Sequence, residues 1–219
     1  YFPYLVGTFE SSKEECSIQR HTERETYAGM LDEYKVGISL IFYMINSIEF
    51  RIRRQEKKTL KAESVNLSCF ASEGKILLPI QKTARQIEIA KVASFNRNNL
   101  LEAAKRGDED AMESLTIEDI DLYSKVSRRL VKEDVYSIVE SCFMPFGIEC
   151  DQYSIIGEIK EVSSLINRFS GEEIYSLAVE CNEIIFPVGI NKKDLLGEPK
   201  VGRRFKGQIW MMGMVNFEK

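Results

Sequence analysis

One histidine, one tryptophan and five prolines are all that this chain of 219 residues holds of those types. Its five cysteines (Cys16, Cys69, Cys142, Cys150, Cys181) include no CxxC pair and are odd in number. That pattern favours free thiols in a reducing cytoplasm over a disulfide framework. A structural zinc site wants four Cys or His at close spacing, and only Cys142 and Cys150 fall within ten residues of each other. No metal and no cofactor is therefore expected. Also missing are GxxxxGK[ST], a GxGxxG after a strand and a GxSxG elbow, which weakens nucleotide and hydrolase readings. The longest apolar run, Val36 to Ile45, is far short of the roughly 20 residues needed to span a bilayer, and no signal peptide is visible. A net charge of −4 argues against a general nucleic-acid or membrane binder, although local basic patches can still exist.

What is present reads as an ordinary folded protein, with 44% hydrophobic and 29% charged residues. The chain opens at Tyr1 without a methionine, and Tyr1 to Phe9 reads as a strand, so a further segment is expected to precede it. Ile38, Ile41, Phe42, Ile45, Ile48 and Ile52 recur at helical spacing and predict a central helix over about Asp32 to Glu56. Val65, Leu67 and Cys69, then Ser72-Glu-Gly74, then Lys75 to Ile80 read as a β-hairpin. Thr83 to Phe143 reads as helical. One helix ends at Gly107; Asp108 caps a short one through Leu115; Thr116 with Asp119 forms a capping box for another through about Leu130. The last third alternates as strands: Tyr153 to Val162, Glu173 to Cys181, Ile184 to Ile190 and Gly202 to Phe217, with glycines at their ends and bends. The expected fold is α+β: a mixed domain over residues 1–150, with the central helix, the hairpin and a helical subdomain, followed by a small OB-like β-barrel over 151–219.

Candidate chemistry falls in three places. The acidic runs Asp108-Glu-Asp110 and Glu118, Asp119, Asp121 offer oxygen ligands, but they lie at predicted helix starts, where negative charge complements the dipole. His21 is followed by Glu23 and Glu25, so it is a candidate general base oriented by a carboxylate, with Cys16 as a thiol partner if the fold brings them together. The bland alternative is a solvated charged segment. The third place is basic: Lys192, Lys193, Lys200, Arg203, Arg204 and Lys206 stand against only Asp194 and Glu198, with Phe205 and Trp210 beside them. Cations interleaved with aromatics suit single-stranded nucleic acid or another anionic polymer. Alternatively, the aromatics fill a core and the cations ring its mouth. The candidate binding set is Lys193, Arg203, Arg204, Phe205, Lys206 and Trp210.

Several stretches are familiar: Tyr1-Phe-Pro-Tyr4, Glu25-Thr-Tyr-Ala-Gly29, Lys35 to Tyr43, Gly107 to Asp121, Phe143 to Tyr153 and Asn191 to Gly207. On these the whole chain resembles domain of unknown function family 3881, bacterial proteins of clostridia and their relatives. The resemblance implies a bacterial cytoplasmic protein, and it carries no functional residue onto this chain. Two readings of function remain. One is a non-enzymatic binding or scaffold protein that docks a partner protein or an anionic polymer, nucleic acid included. The other is an enzyme with a site around His21, Glu23 and Glu25.

Overall fold

The computed structural model describes residues 4–6, 9–21, 26–33, 35–57, 60–148 and 150–218. They form two compact units, Tyr1–Pro79 with Ser141–Lys219, and Ile80–Glu140.

The first unit is built on one mixed sheet of ten strands. β1 (Cys16–His21), β2 (Thr26–Glu33) and β3 (Ile38–Met44) form an antiparallel meander. β3 joins the longest ladder by a short parallel contact, Tyr43 and Met44 against Met212 and Gly213. That ladder pairs β4 (Ala62–Leu77) antiparallel with β10 (Arg204–Phe217). Beyond β4 come β8 (Ile184–Asn191), β7 (Glu173–Cys181), β6 (Gln152–Ile166) and β5 (Cys142–Pro145), with the two-residue β9 (Leu195–Leu196) also on β4. β6 returns to pair with the first half of β10, from Arg204 to Trp210. β10 therefore trades one neighbour for another along its length: β6 over 204–210, β3 at 212–213.

Three expectations are corrected here. First, no self-contained OB-like barrel forms from residues 151–219 behind a mixed domain. The terminal strands belong to the same sheet as the first ones, and the partner of β10 along its length is β4. Alternation along β10 marks a strand but carries no information about which strand lies beside it. Second, the central helix over 32–56 is instead β2, β3 and a shorter helix, α1 (Ser47–Glu56). Residues 36–45 are apolar almost throughout, which fits both periods; the buried set Leu40, Phe42 and Met44 follows period two, and Gly37 turns the chain at φ 75°. Third, residues 65–80 do not form a hairpin. β4 runs straight through Ser72-Glu-Gly74 with a bulge, since Gln208 faces Glu73 while Ile209 faces Ala71.

Asn46 binds α1 to the sheet: its Nδ2 donates to Val215 O at 2.8 Å and its Oδ1 accepts from Val215 N at 3.1 Å. Phe50 of α1 is buried against Tyr27 and Phe217. The core of this unit joins Leu40, Phe42, Leu67, Ile155, Val179, Phe186, Phe205 and Met211, from six of the strands.

The second unit is a helical hairpin. α2 (Ala84–Lys105) starts on a capping box of Thr83 and Gln86 and ends before Gly107 (φ 89°). α3 (Glu109–Leu130) is capped by Asp108, whose side chain accepts from Ala111 N at 3.1 Å. The break expected at Thr116 does not occur, because its hydroxyl donates back to Met112 O at 2.8 Å instead of capping a new helix. Arg97 of α2 meets Glu118 and Asp119 of α3. α4 (Val135–Ile138) follows, and Lys82 pairs with Glu140 across the ends of the unit. Phe95, Ile120 and Tyr123 are among many apolar side chains left exposed here, and Ala111 is the one residue of α2 and α3 that is buried. Among the described residues no helix is long and apolar enough to cross a membrane.

Candidate functional site

The strand register of β4, β10 and β6 builds the candidate site. On β10, Phe205, Gly207, Ile209 and Met211 alternate onto the core face, so Arg204, Lys206, Gln208 and Trp210 point to the other. Lys206 stands directly opposite Lys75 of β4 and Ile156 of β6, and Gln208 opposite Glu73 and Ser154. Gly74 and Gly207 face each other in the same register, and the Phe205 ring packs where their side chains would be. A Cβ on either would lie 2.5 Å from that ring. Above them the outer face carries a cleft of about 420 Å³, lined by Glu73, Lys75, Ser154, Lys206 and Gln208 and flanked by Asp194 from the turn before β9. The volume is within the range of small-ligand sites.

Lys75 and Lys206, at directly opposed positions, bring two cationic side chains to the same cleft. Ser154 and Gln208 add a hydroxyl and an amide able to donate, while Glu73 and Asp194 can accept from a hydroxyl or amine. The positive charge of Lys206 also reaches Cys142 on β5: burial pushes that thiol up, and Lys206 pulls part of the shift back.

The sequence-derived binding residues disperse from this point. Lys206 lines the cleft. Arg204 is buried, and its Nε and Nη2 donate to Leu78 O at 3.0 and 2.8 Å. Phe205 is wholly buried in the core. Trp210, on the opposite face, donates from Nε1 to Asp151 Oδ2 at 2.8 Å and meets Tyr43 edge-on. Arg203 donates to Glu198 O at 2.8 Å, and Lys193 pairs with Glu172, whose carboxyl it holds below the usual range. Lys192 and Lys200 are likewise paired, with Glu173 and Glu198. The two aromatics thus lie on opposite faces and share no platform. Lys75, Ser154 and Glu73 went unread because only the register of distant strands brings them beside Lys206.

For the catalytic candidates, His21 closes β1 with its backbone opposite Thr26, and Glu23 and Glu25 lie outside the described residues. Cys16 is at the other end of β1, about 16 Å away along the strand. Burial pushes its thiol up to about 11, away from the thiolate a nucleophile needs. Among the described residues, no three His, Cys, Asp or Glu gather as metal ligands.

A family model described as "Domain of unknown function, E. rectale Gene description (DUF3881)" matches residues 1–213, nearly the whole chain. The chain belongs to this family. DUF3881 therefore spans both units described above, sheet and helical hairpin together. No curated protein and no solved structure matches the chain.

Proposed function

We propose that this DUF3881 member is a non-enzymatic binding protein of the bacterial cytoplasm, and that its sheet cleft takes an anionic group, a carboxylate or phosphate, with a hydroxyl or amine donor beside it. The observation that carries this is the pairing of Lys75 with Lys206 at directly opposed positions lining a cleft of ligand size. Lys75 and Lys206 take the anion, Ser154 and Gln208 donate to its oxygens, and Glu73 and Asp194 accept from the neighbouring donor. The balance of two ammoniums and two carboxylates suits a small mixed-charge ligand better than a long polyanion. Support for the compartment is the free state of all five cysteines.

Thermal shift and calorimetry with citrate, glutamate and inorganic phosphate test this reading, beside a labelled single-stranded DNA pool titrated with salt. A small anion is expected to raise Tm, and Lys206→Gln or Lys75→Gln to weaken its binding by about tenfold each. DNA binding that falls steeply with salt while the small anions leave Tm unchanged would replace this ligand class with a nucleic acid. No response to any of the four would remove the reading.

A further inference from the structure

The charged side chains of the cleft stand in two rows. Residues directly opposite each other on neighbouring strands share a face of the sheet. One row is therefore Leu196 of β9, Lys75 of β4 and Lys206 of β10, each opposite the next. One repeat along β4 stands Glu73, on the same face. Asp194 enters the cleft at that level, one position before Leu195, which is opposite Gly74. Cations thus occupy one row and carboxylates the other. The row between them, Gly74 and Gly207, faces the Phe205 ring, so bare backbone floors the gap. Two residues along a strand span about 6.8 Å, and strand side chains stand roughly perpendicular to the sheet, so charges of opposite sign are set about that far apart. Leu196, 74% exposed, adds an apolar wall beside the cations. Glu73 is exposed and has no ion partner among the described residues.

We infer that the ligand of this cleft is an ω-amino acid. Its carboxylate lies with Lys75 and Lys206, its ammonium with Glu73 and Asp194, and its methylene chain over Gly74 and Gly207 beside Leu196. This rests on the anion site proposed above and adds to it the second charge and the distance between the two. Two carboxylates select a full cation over a neutral hydroxyl, because an ammonium pairs with both through charge-assisted hydrogen bonds. The row spacing selects the length. An α-amino acid carries both groups on one carbon and is too short to meet both rows. A spacer of four extended methylenes carries the ammonium about 6 Å from the carboxylate, which matches the rows.

Calorimetry on the full chain compares glycine, γ-aminobutyrate, δ-aminovalerate and ε-aminocaproate with pentanoate, which keeps the carboxylate and the chain but lacks the amine. δ-Aminovalerate is expected to bind about tenfold more tightly than either glycine or pentanoate. Glu73→Gln should weaken δ-aminovalerate by about tenfold and leave pentanoate unchanged, whereas Lys75→Gln should weaken both. Trp210 fluorescence, from the same unit, confirms that each variant is folded. Pentanoate or glycine binding as tightly as δ-aminovalerate overturns the inference and leaves the anion site standing. So does δ-aminovalerate binding that is indifferent to Glu73→Gln. Binding of none of these carboxylates overturns the inference together with the anion site beneath it.

Discussion

Removing one hydroxyl, in Tyr153→Phe, tests how the sheet holds its fork. β3 touches β10 at Tyr43 and Met44, and beyond that point β10 turns to β6. The Ile41 peptide is left facing the gap. Tyr153, only 1% exposed, fills it: its hydroxyl accepts from Ile41 N at 2.7 Å and lies 3.0 Å from Ile41 O and 3.2 Å from Cys150 O, to which it can donate. Phenylalanine keeps the ring and its contact with Phe143, at 4.8 Å between centroids, so packing changes little. What is lost is the partner of a part-buried peptide N–H, together with a donor to the carbonyls. Leaving such groups unsatisfied costs about 1–3 kcal/mol, and we expect about 2 kcal/mol here. In a chain of this length that corresponds to a fall in Tm of about 4–8 °C.

Urea unfolding followed by Trp210 is the assay, since the single tryptophan lies in the same unit as Tyr153 and reports on it alone. A loss below about 0.5 kcal/mol would refute the reasoning, because the fork would then be satisfied without the phenol. The same residue has a titration signature. Burial pushes the phenol from its ordinary 10 up to about 12, against the opposing pull of the Ile41 hydrogen bond. The folded state thus holds this proton more tightly than the unfolded state. Its contribution to stability is complete below pH 10 and is lost as pH rises toward 12. Absorbance titration of the phenols should show a late-ionising group that Tyr153→Phe removes.

Two further predictions concern buried groups. Ser68 is fully buried, and its hydroxyl has no hydrogen-bond partner among the described residues, so Ser68→Ala should leave stability unchanged or raise it by about 1 kcal/mol; a loss of more than that in urea unfolding contradicts the assignment. Burial pushes the Cys181 thiol up to about 12 and Cys69 well above its ordinary value, whereas Cys150 is exposed. Maleimide labelling read by peptide mass spectrometry should therefore modify Cys150 first and reach Cys69 and Cys181 only on unfolding; early labelling of Cys69 would show that this part of the core opens.

How much of this was legible depends on the distance over which each signal acts. Thr83, Gln86, Gly107 and Asp108 fix helix ends through bonds to residues three or four away, and those ends were readable to within a residue. The strands β7 and β8 were equally plain, because alternation is a local property. Residues 36–45 failed for the opposite reason: apolar at almost every position, they satisfy two periods, and only the sheet waiting beside them decides. The candidate site lies furthest from local signals. Lys75 and Lys206 are 131 positions apart, and nothing near either names the other. Even the cue that was present misled, since Ser72-Glu-Gly74 has the composition of a turn. In the folded chain its glycine serves to clear space for Phe205, and its extra residue serves as a bulge. The cation-and-aromatic run from Lys192 to Trp210 was a real anomaly of composition, yet the fold spends most of it on local ion pairs, on the Leu78 carbonyl and on the core. Lys206 stands opposite another strand's lysine. A patch in sequence becomes a site only where the register of a distant strand supplies its other half, so covariation between residues 73–75 and 206–208 is the signal that should have found it.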